Sequence, residues 1–144
     1  MATARGRCRR VCSAILCAAV FAVAGCGGGV KRVPVSGAAT LDGQPLTGGV
    51  LHFYPDPDKG NSNRVDCLSP VRAGKYNLLT TAVRDSDSGQ GVPLGWYKVY
   101  LYTDVPGTKI NIHERFTDPM KTPVSVEVVE NPAANAYDVT FTSK

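Results

Sequence analysis

The sequence predicts an all-β domain: a seven-stranded β-sandwich preceded by a signal peptide. Three observations carry this expectation. Downstream of residue 26, no stretch repeats apolar residues at the 3.6-residue period of a helix, whereas short runs rich in Val, Thr, Tyr and Phe alternate apolar with polar side chains. The 15 glycines and 10 prolines punctuate these runs, at turn-forming dipeptides such as Asp42-Gly43 and Asn131-Pro132. Finally, 144 residues suit one domain and are short for two, and 43% hydrophobic residues with 19% charged is too apolar for a disordered chain.

The chain opens on a segment of different character. Arg5, Arg7, Arg9 and Arg10 precede residues 11–24, which are apolar except for Cys12, Ser13 and Cys17. This run is too short to cross a bilayer, which takes about 20 apolar residues, but it has the basic and apolar regions of an export signal. It ends in Val23-Ala24-Gly25-Cys26, which resembles the bacterial lipobox: a branched apolar residue, two small residues that fit a peptidase's narrow subsites, then a nucleophilic cysteine. The resemblance implies that residues 1–25 are a lipoprotein signal peptide. Cys26 then becomes the first residue, lipidated on its sulfur and acylated, for example with palmitate, on its amine. The alternatives are an uncleaved signal-anchor and an ordinary cleavage site beside an incidental cysteine. Arg9-Arg10 raises twin-arginine export against general secretion.

Each buried methylene contributes roughly 0.8 kcal/mol and one acyl chain alone is marginal, so two or three chains would hold the protein firmly. Residues 26–32 read as the lipidated cysteine and a tether, because Gly27-Gly28-Gly29 has no side chain to pack. At roughly 3.5 Å per residue this tether reaches about 20 Å. The domain, residues 33–144, is therefore expected beside the cell membrane or outer membrane, facing the periplasm or exterior. Gly27 stands where some bacteria place a retention aspartate, which leaves both membranes open.

The formal charge of +4 resides in the four leading arginines; the remaining twelve Lys/Arg residues balance the twelve Asp/Glu residues. A neutral domain argues against nucleic acid as a partner, because binding it takes a basic face that displaces counterions. It does not choose among protein, glycan and small-molecule partners. Without Cys8, Cys12, Cys17 and Cys26, only Cys67 remains, so no internal disulfide forms. Cys67 sits between Val65 and Leu68 with no histidine nearby in sequence, which reads as an inert structural thiol.

The strands follow in order. Residues 33–41 form the first, closed by the Asp42-Gly43 hairpin turn, where glycine accepts positive φ. Residues 49–54 form the second, stopped by Pro55, and 56–63 a polar loop. Residues 64–68 and 75–80 are the next two, and 81–93 is loop. Residues 96–103 are the run richest in β-formers, followed by a long connection over 104–123. Residues 124–129 and 136–142 complete the seven. Alternation puts Tyr97, Val99 and Leu101, then Val124, Val126 and Val128, then Tyr137, Val139 and Phe141 on core faces, buried between two sheets about 10 Å apart.

Val35-Ser36-Gly37, Leu41-Asp42-Gly43-Gln44-Pro45-Leu46, Gly49 and Phe53-Tyr54-Pro55 resemble the opening of carboxypeptidase regulatory-like domains. Gly74-Lys75-Tyr76 and Gly95-Trp96-Tyr97-Lys98-Val99 resemble that family's Gly-x-Tyr strand starts. Phe116-Thr117-Asp118-Pro119 with Thr122-Pro123-Val124-Ser125-Val126-Glu127-Val128 is similar to the later part of small lipoproteins of planctomycete type. The resemblance spans residues 33–141. It implies a transthyretin-like (prealbumin-like) Greek-key sandwich of non-catalytic function. Val71-Arg72-Ala73 departs from the acidic turn that the family often has before its Gly-x-Tyr, which puts that local turn in doubt.

The expected function is a non-catalytic binding or structural role in the cell envelope, with the membrane as partner through the anchor and an envelope protein or glycan as further partners. One rival is a carbohydrate-binding module. Trp96, Tyr100 and Tyr102 point away from the core face and can stack on sugar rings or anchor a protein, unless Ile110, Ile112 and Phe116 of the long connection fold over them. A second rival is the purine-pathway hydrolase on the same fold, which needs converging His and Arg groups and a terminal Tyr-Arg-Gly-Ser. This chain has only His52 and His113 and ends in Phe141-Thr142-Ser143-Lys144. The loop oxygens of Asp56, Asp58 and Asn61 are weak calcium candidates: EF-hand spacing is missing, Lys59 competes, and a plain turn needs the same residues. No motif calls for a cofactor.

Overall fold

The computed structural model describes residues 30–82 and 88–144. The segment expected to be a signal peptide, Cys26 and residues 27–29 of the expected tether therefore lie outside the described residues, whereas Arg32, expected in the tether, already belongs to the first strand. The described chain is all-β and sandwich-like, its helical content limited to single 3-10 turns. Among the described residues there are twelve short strands: β1 (Arg32–Val33), β2 (Ser36–Leu41), β3 (Gln44–Pro45), β4 (Val50–Pro55), β5 (Val65–Pro70), β6 (Lys75–Asn77), β7 (Leu79–Ala82), β8 (Gly89–Gln90), β9 (Val92–Pro93), β10 (Gly95–Tyr102), β11 (Ser125–Val128) and β12 (Val139–Phe141).

The larger sheet has six strands in the order β11-β10-β4-β5-β7-β8, each pair antiparallel. In the smaller sheet β2 pairs with β3 and β6 and, in parallel, with β12. β1 and β9 form a separate pair.

All seven expected runs contain strand, but two of them are divided. The first breaks at Pro34, which has no amide proton to donate to a ladder. The run over 75–80 breaks at the buried Leu78, where the chain passes from the smaller sheet (β6 on β2) to the larger one (β7 on β5). The amide of Leu78 donates to the Val35 carbonyl at 2.9 Å, so the crossing leaves no orphaned donor.

The turns show their chemistry. Asp42 and Gly43 have φ of 50° and 81°, the paired left-handed conformation of a tight hairpin. Ala73 and Gly74 do the same at 49° and 72°, between Arg72 and Lys75, which exchange backbone hydrogen bonds at 2.9 and 3.0 Å. The turn that the non-acidic Val71-Arg72-Ala73 put in doubt is therefore a regular two-residue turn, held with an alanine where glycine or asparagine is the easier choice.

Phe53 joins the layers. From β4 of the larger sheet its ring lies 6.2 Å from Tyr76, 6.1 Å from Tyr97 and 6.3 Å from Tyr137. Around it Leu51, Tyr97, Val99, Leu101, Val139 and Phe141 are buried, in line with the alternation; Val124, Val126 and Tyr137 are half-buried at the margin. Buried tyrosines reach backbone acceptors: the Tyr76 hydroxyl donates to Tyr137 O at 2.6 Å and the Tyr97 hydroxyl to Pro93 O at 2.8 Å.

The long connection closes the core from the side. Phe116, buried in a 3-10 turn over Glu114–Phe116, meets Phe141 edge-on at 5.4 Å. Ile110 and Ile112 pack against the core, and Ile110 lies beside Gly49 and Leu101. The Thr122 hydroxyl returns the chain to β10 by donating to Val99 O at 2.6 Å. These residues therefore do not roof the outer face of β10, which was the alternative to an open aromatic stripe.

Candidate functional site

Alternation along β10 sends Trp96, Lys98, Tyr100 and Tyr102 to the outer face of the larger sheet, opposite the buried Tyr97, Val99 and Leu101. The rings do not form one open platform. The ammonium of Lys59 sits 3.7 Å from the Trp96 ring centroid and donates to Ser125 Oγ at 3.0 Å, so it caps the indole. Lys98 follows, with Nζ 3.8 Å from a carboxylate oxygen of Asp58. Tyr100 is stacked by His52 of β4 at 4.8 Å and 24°, while Tyr102 is 47% exposed and meets His52 edge-on at 6.3 Å. Trp96, Tyr100 and Tyr102 thus share a face but are separated by two lysines and a histidine.

The neighbouring strands turn this face into a site. β4 pairs Tyr100 with His52 and Lys98 with Tyr54. β5 then brings Asp66 beside β4, and His52 Nδ1 lies 3.2 Å from its carboxylate. At this end of the sheet a cleft of about 530 Å³ opens, lined by Tyr54, Tyr100, Arg64, Asp66 and the loop of Asn61, Ser62 and Asn63. That size is within the range of small-molecule sites. Tyr54 is 40% exposed. The Tyr100 phenol is held above its ordinary pKa, first by burial, then by the nearby charge of Asp66 and by Tyr54, which reports that these groups converge. None of the ion pairs among the described residues involves Arg64, whose side chain is exposed.

The calcium candidates hold the wall of this cleft in place. Asp56 is 1% exposed and its carboxylate accepts from the Asp58 amide at 3.2 Å, capping a 3-10 turn over Pro57–Lys59. Buried Asn61 donates to Trp96 O at 2.7 Å and accepts from the Asn63 amide at 3.1 Å. Asp58 faces Lys98 instead. Each of these side chains is engaged within the fold, and no group of three His, Cys, Asp or Glu side chains able to hold a metal occurs among the described residues.

The two histidines serve different parts of the fold. His52 contacts Asp66 on the outer face; His113 caps the turn at the β12 edge, where its Nδ1 accepts from the Arg115 amide at 3.2 Å. Cys67 faces inward with its sulfur 3.6 Å from Thr80 Oγ1, and burial pushes the thiol up to about 11, far from a thiolate at neutral pH.

No motif in the sequence marks Tyr54, Arg64 and Asp66 as site residues. The outward phase of His52 and Tyr54 is legible in their run, but the convergence depends on the order β10-β4-β5, which no local pattern encodes. Set against known proteins, the chain matches no family model, no curated protein and no solved structure.

Proposed function

We propose that this chain is an exported, lipid-anchored β-sandwich module of the carboxypeptidase regulatory-like, transthyretin-like kind, with a non-catalytic binding role in the cell envelope. The anchor reading rests on the four arginines, the short apolar run and the lipobox ending in Cys26. The binding reading rests on one observation: the aromatic and polar cleft at Tyr54, Tyr100, Arg64 and Asp66, on a sheet face that the long connection leaves open. His52 and Asp66 lie together there, with His52 Nδ1 3.2 Å from the carboxylate.

Two measurements test this. Mass spectrometry of the mature amino terminus is expected to find Cys26 carrying a diacylglyceryl group; an unmodified Met1 or an unlipidated Cys26 overturns the anchor. The tagged full chain is expected to capture a component of envelope extract that is lost with Tyr54→Ala and Tyr100→Ala and kept with Leu79→Ala, an exposed apolar residue on a different strand of the same sheet. Equal recovery by all four proteins removes the cleft as the binding surface.

A further inference from the structure

We propose that the cleft between β4, β5 and β10 takes a ring of a neutral oligosaccharide, stacked on Tyr54 and hydrogen-bonded by Arg64 and Asp66. This rests on the binding-module reading and gives it a ligand class. The chemistry of the lining argues for it. Asp66 projects to the outer face from β5, opposite in phase to the buried Cys67, and Arg64, in the segment that leads into β5, lines the same cleft. For an ion their charges work against each other: an anion that meets the guanidinium also meets the carboxylate, and a cation meets the reverse. A hydroxyl-bearing neutral ring uses both, because a hydroxyl donates to a carboxylate and accepts from a guanidinium. Charge-assisted hydrogen bonds of this kind are the strong ones.

Asp66 is also aimed. His52 holds its carboxylate at 3.2 Å while the side chain stays 46% exposed, and His52 is itself braced by stacking on Tyr100. An acceptor fixed in this way loses little freedom on binding. Tyr54, 40% exposed, offers an aromatic surface at the rim, of the kind that packs against the C–H groups of a pyranose. Ser62 and Asn63 also line the cleft and add polar groups to it. The Trp96 indole contributes nothing directly: Lys59 covers it and it does not line the cleft.

The test is calorimetric titration of the full chain, purified in detergent, with cellohexaose, chitohexaose and mannohexaose, and with an oligogalacturonate of the same length as the charged comparison. At least one neutral hexamer is expected to bind, and the uronate to bind more weakly because Asp66 repels it. Tyr54→Ala and Asp66→Asn should each weaken the neutral ligand about tenfold, and Trp96→Ala should leave it within about twofold. Thermal melting of each variant separates loss of binding from loss of fold. No binding by any neutral hexamer up to about 10 mM overturns the proposal. So does binding that Trp96→Ala abolishes and Tyr54→Ala spares, because the sugar then lies on the β10 stripe. If no hexamer binds but the envelope extract still yields a Tyr54-dependent partner, the sugar is rejected and the binding module stands; if both fail, both readings fall.

Discussion

At the residue scale, three buried protons make the fold sensitive to alkali. Burial pushes the Cys67 thiol from its ordinary 9.0 up to about 11. The Tyr76 and Tyr97 phenols are raised as well, each mainly by burial, and Tyr76 further by the charge of Asp138. Each of these groups loses its proton more readily in the unfolded chain than in the native one. The stability they contribute is thus complete below about pH 9 and declines as pH rises toward 11 for Cys67, and beyond for the tyrosines. For Cys67 a rise of that size corresponds to roughly 2–3 kcal/mol. Urea unfolding midpoints measured across this range should fall steadily with pH. Cys67→Ala should start from a lower midpoint, because it opens a small cavity, and should show a shallower decline. A decline of unchanged slope in the variant would assign the alkaline loss to the tyrosines alone. The same burial makes Cys67 inert to alkylating agents in the native protein.

At the scale of the element, the approach to β12 is fitted closely against β2. β12 runs parallel to β2, and the approach before it is closed by the Tyr137 amide donating to Ser36 O at 3.0 Å. A Cβ built on Gly37 would overlap the Tyr137 carbonyl, the same oxygen that accepts from Tyr76 at 2.6 Å. Gly37→Ala must therefore move backbone, at a cost of about 3 kcal/mol. Gly60→Ala separates this from conformational strain: its φ is +80° but nothing lies within 4 Å of the new methyl, so it should cost about 1 kcal/mol. Equal losses in the two variants would show that no close packing acts at Gly37. These strands also show what a sequence displays. The run over 96–103 announced β10 because period-two alternation is local, and the outward placement of Trp96, Tyr100 and Tyr102 followed from it. β8 and β9 fall in the stretch over 81–93 that the sequence presents as loop: two residues each, Gly-Gln and Val-Pro carry no pattern and are strands only because β7 and β1 pair with them. The cleft was hidden for the same reason. Tyr54, Arg64 and Asp66 meet through pairings set by the whole sheet, and no spacing along the chain records them.

At the scale of the whole molecule, the topology relates the cleft to the point of attachment. Lys31 pairs with Glu130 just beyond β11, and Arg32 pairs with Pro93 just before β10. Asn61 and Asn63, on the cleft wall, contact Trp96 O and Leu94 O on the other side of that same segment. The start of the domain and the cleft therefore occupy one end. The Asp42-Gly43 turn and Thr47–Gly49 lie at the other, where Gly49 meets Leu101 and Tyr102 at the far end of β10. The eight residues of β10 separate these ends by roughly 25 Å at about 3.3 Å per residue. Four residue steps from Cys26 to Val30 reach at most roughly 14 Å. With the chain attached through Cys26 as proposed, the cleft end is therefore held toward the bilayer and the hairpin end away from it, so the ligand must be met close to the membrane surface. Fluorophores on Ser62→Cys and Gln44→Cys test this, since both positions are exposed and buried Cys67 does not compete for label. In vesicles carrying a quencher on the lipid headgroup, the label at 62 should be quenched at least about twofold more than the label at 44, because quenching falls steeply over a separation of roughly 25 Å. Equal quenching would mean that the domain tumbles freely on its tether and that the cleft has no preferred side, and stronger quenching at 44 would reverse the orientation.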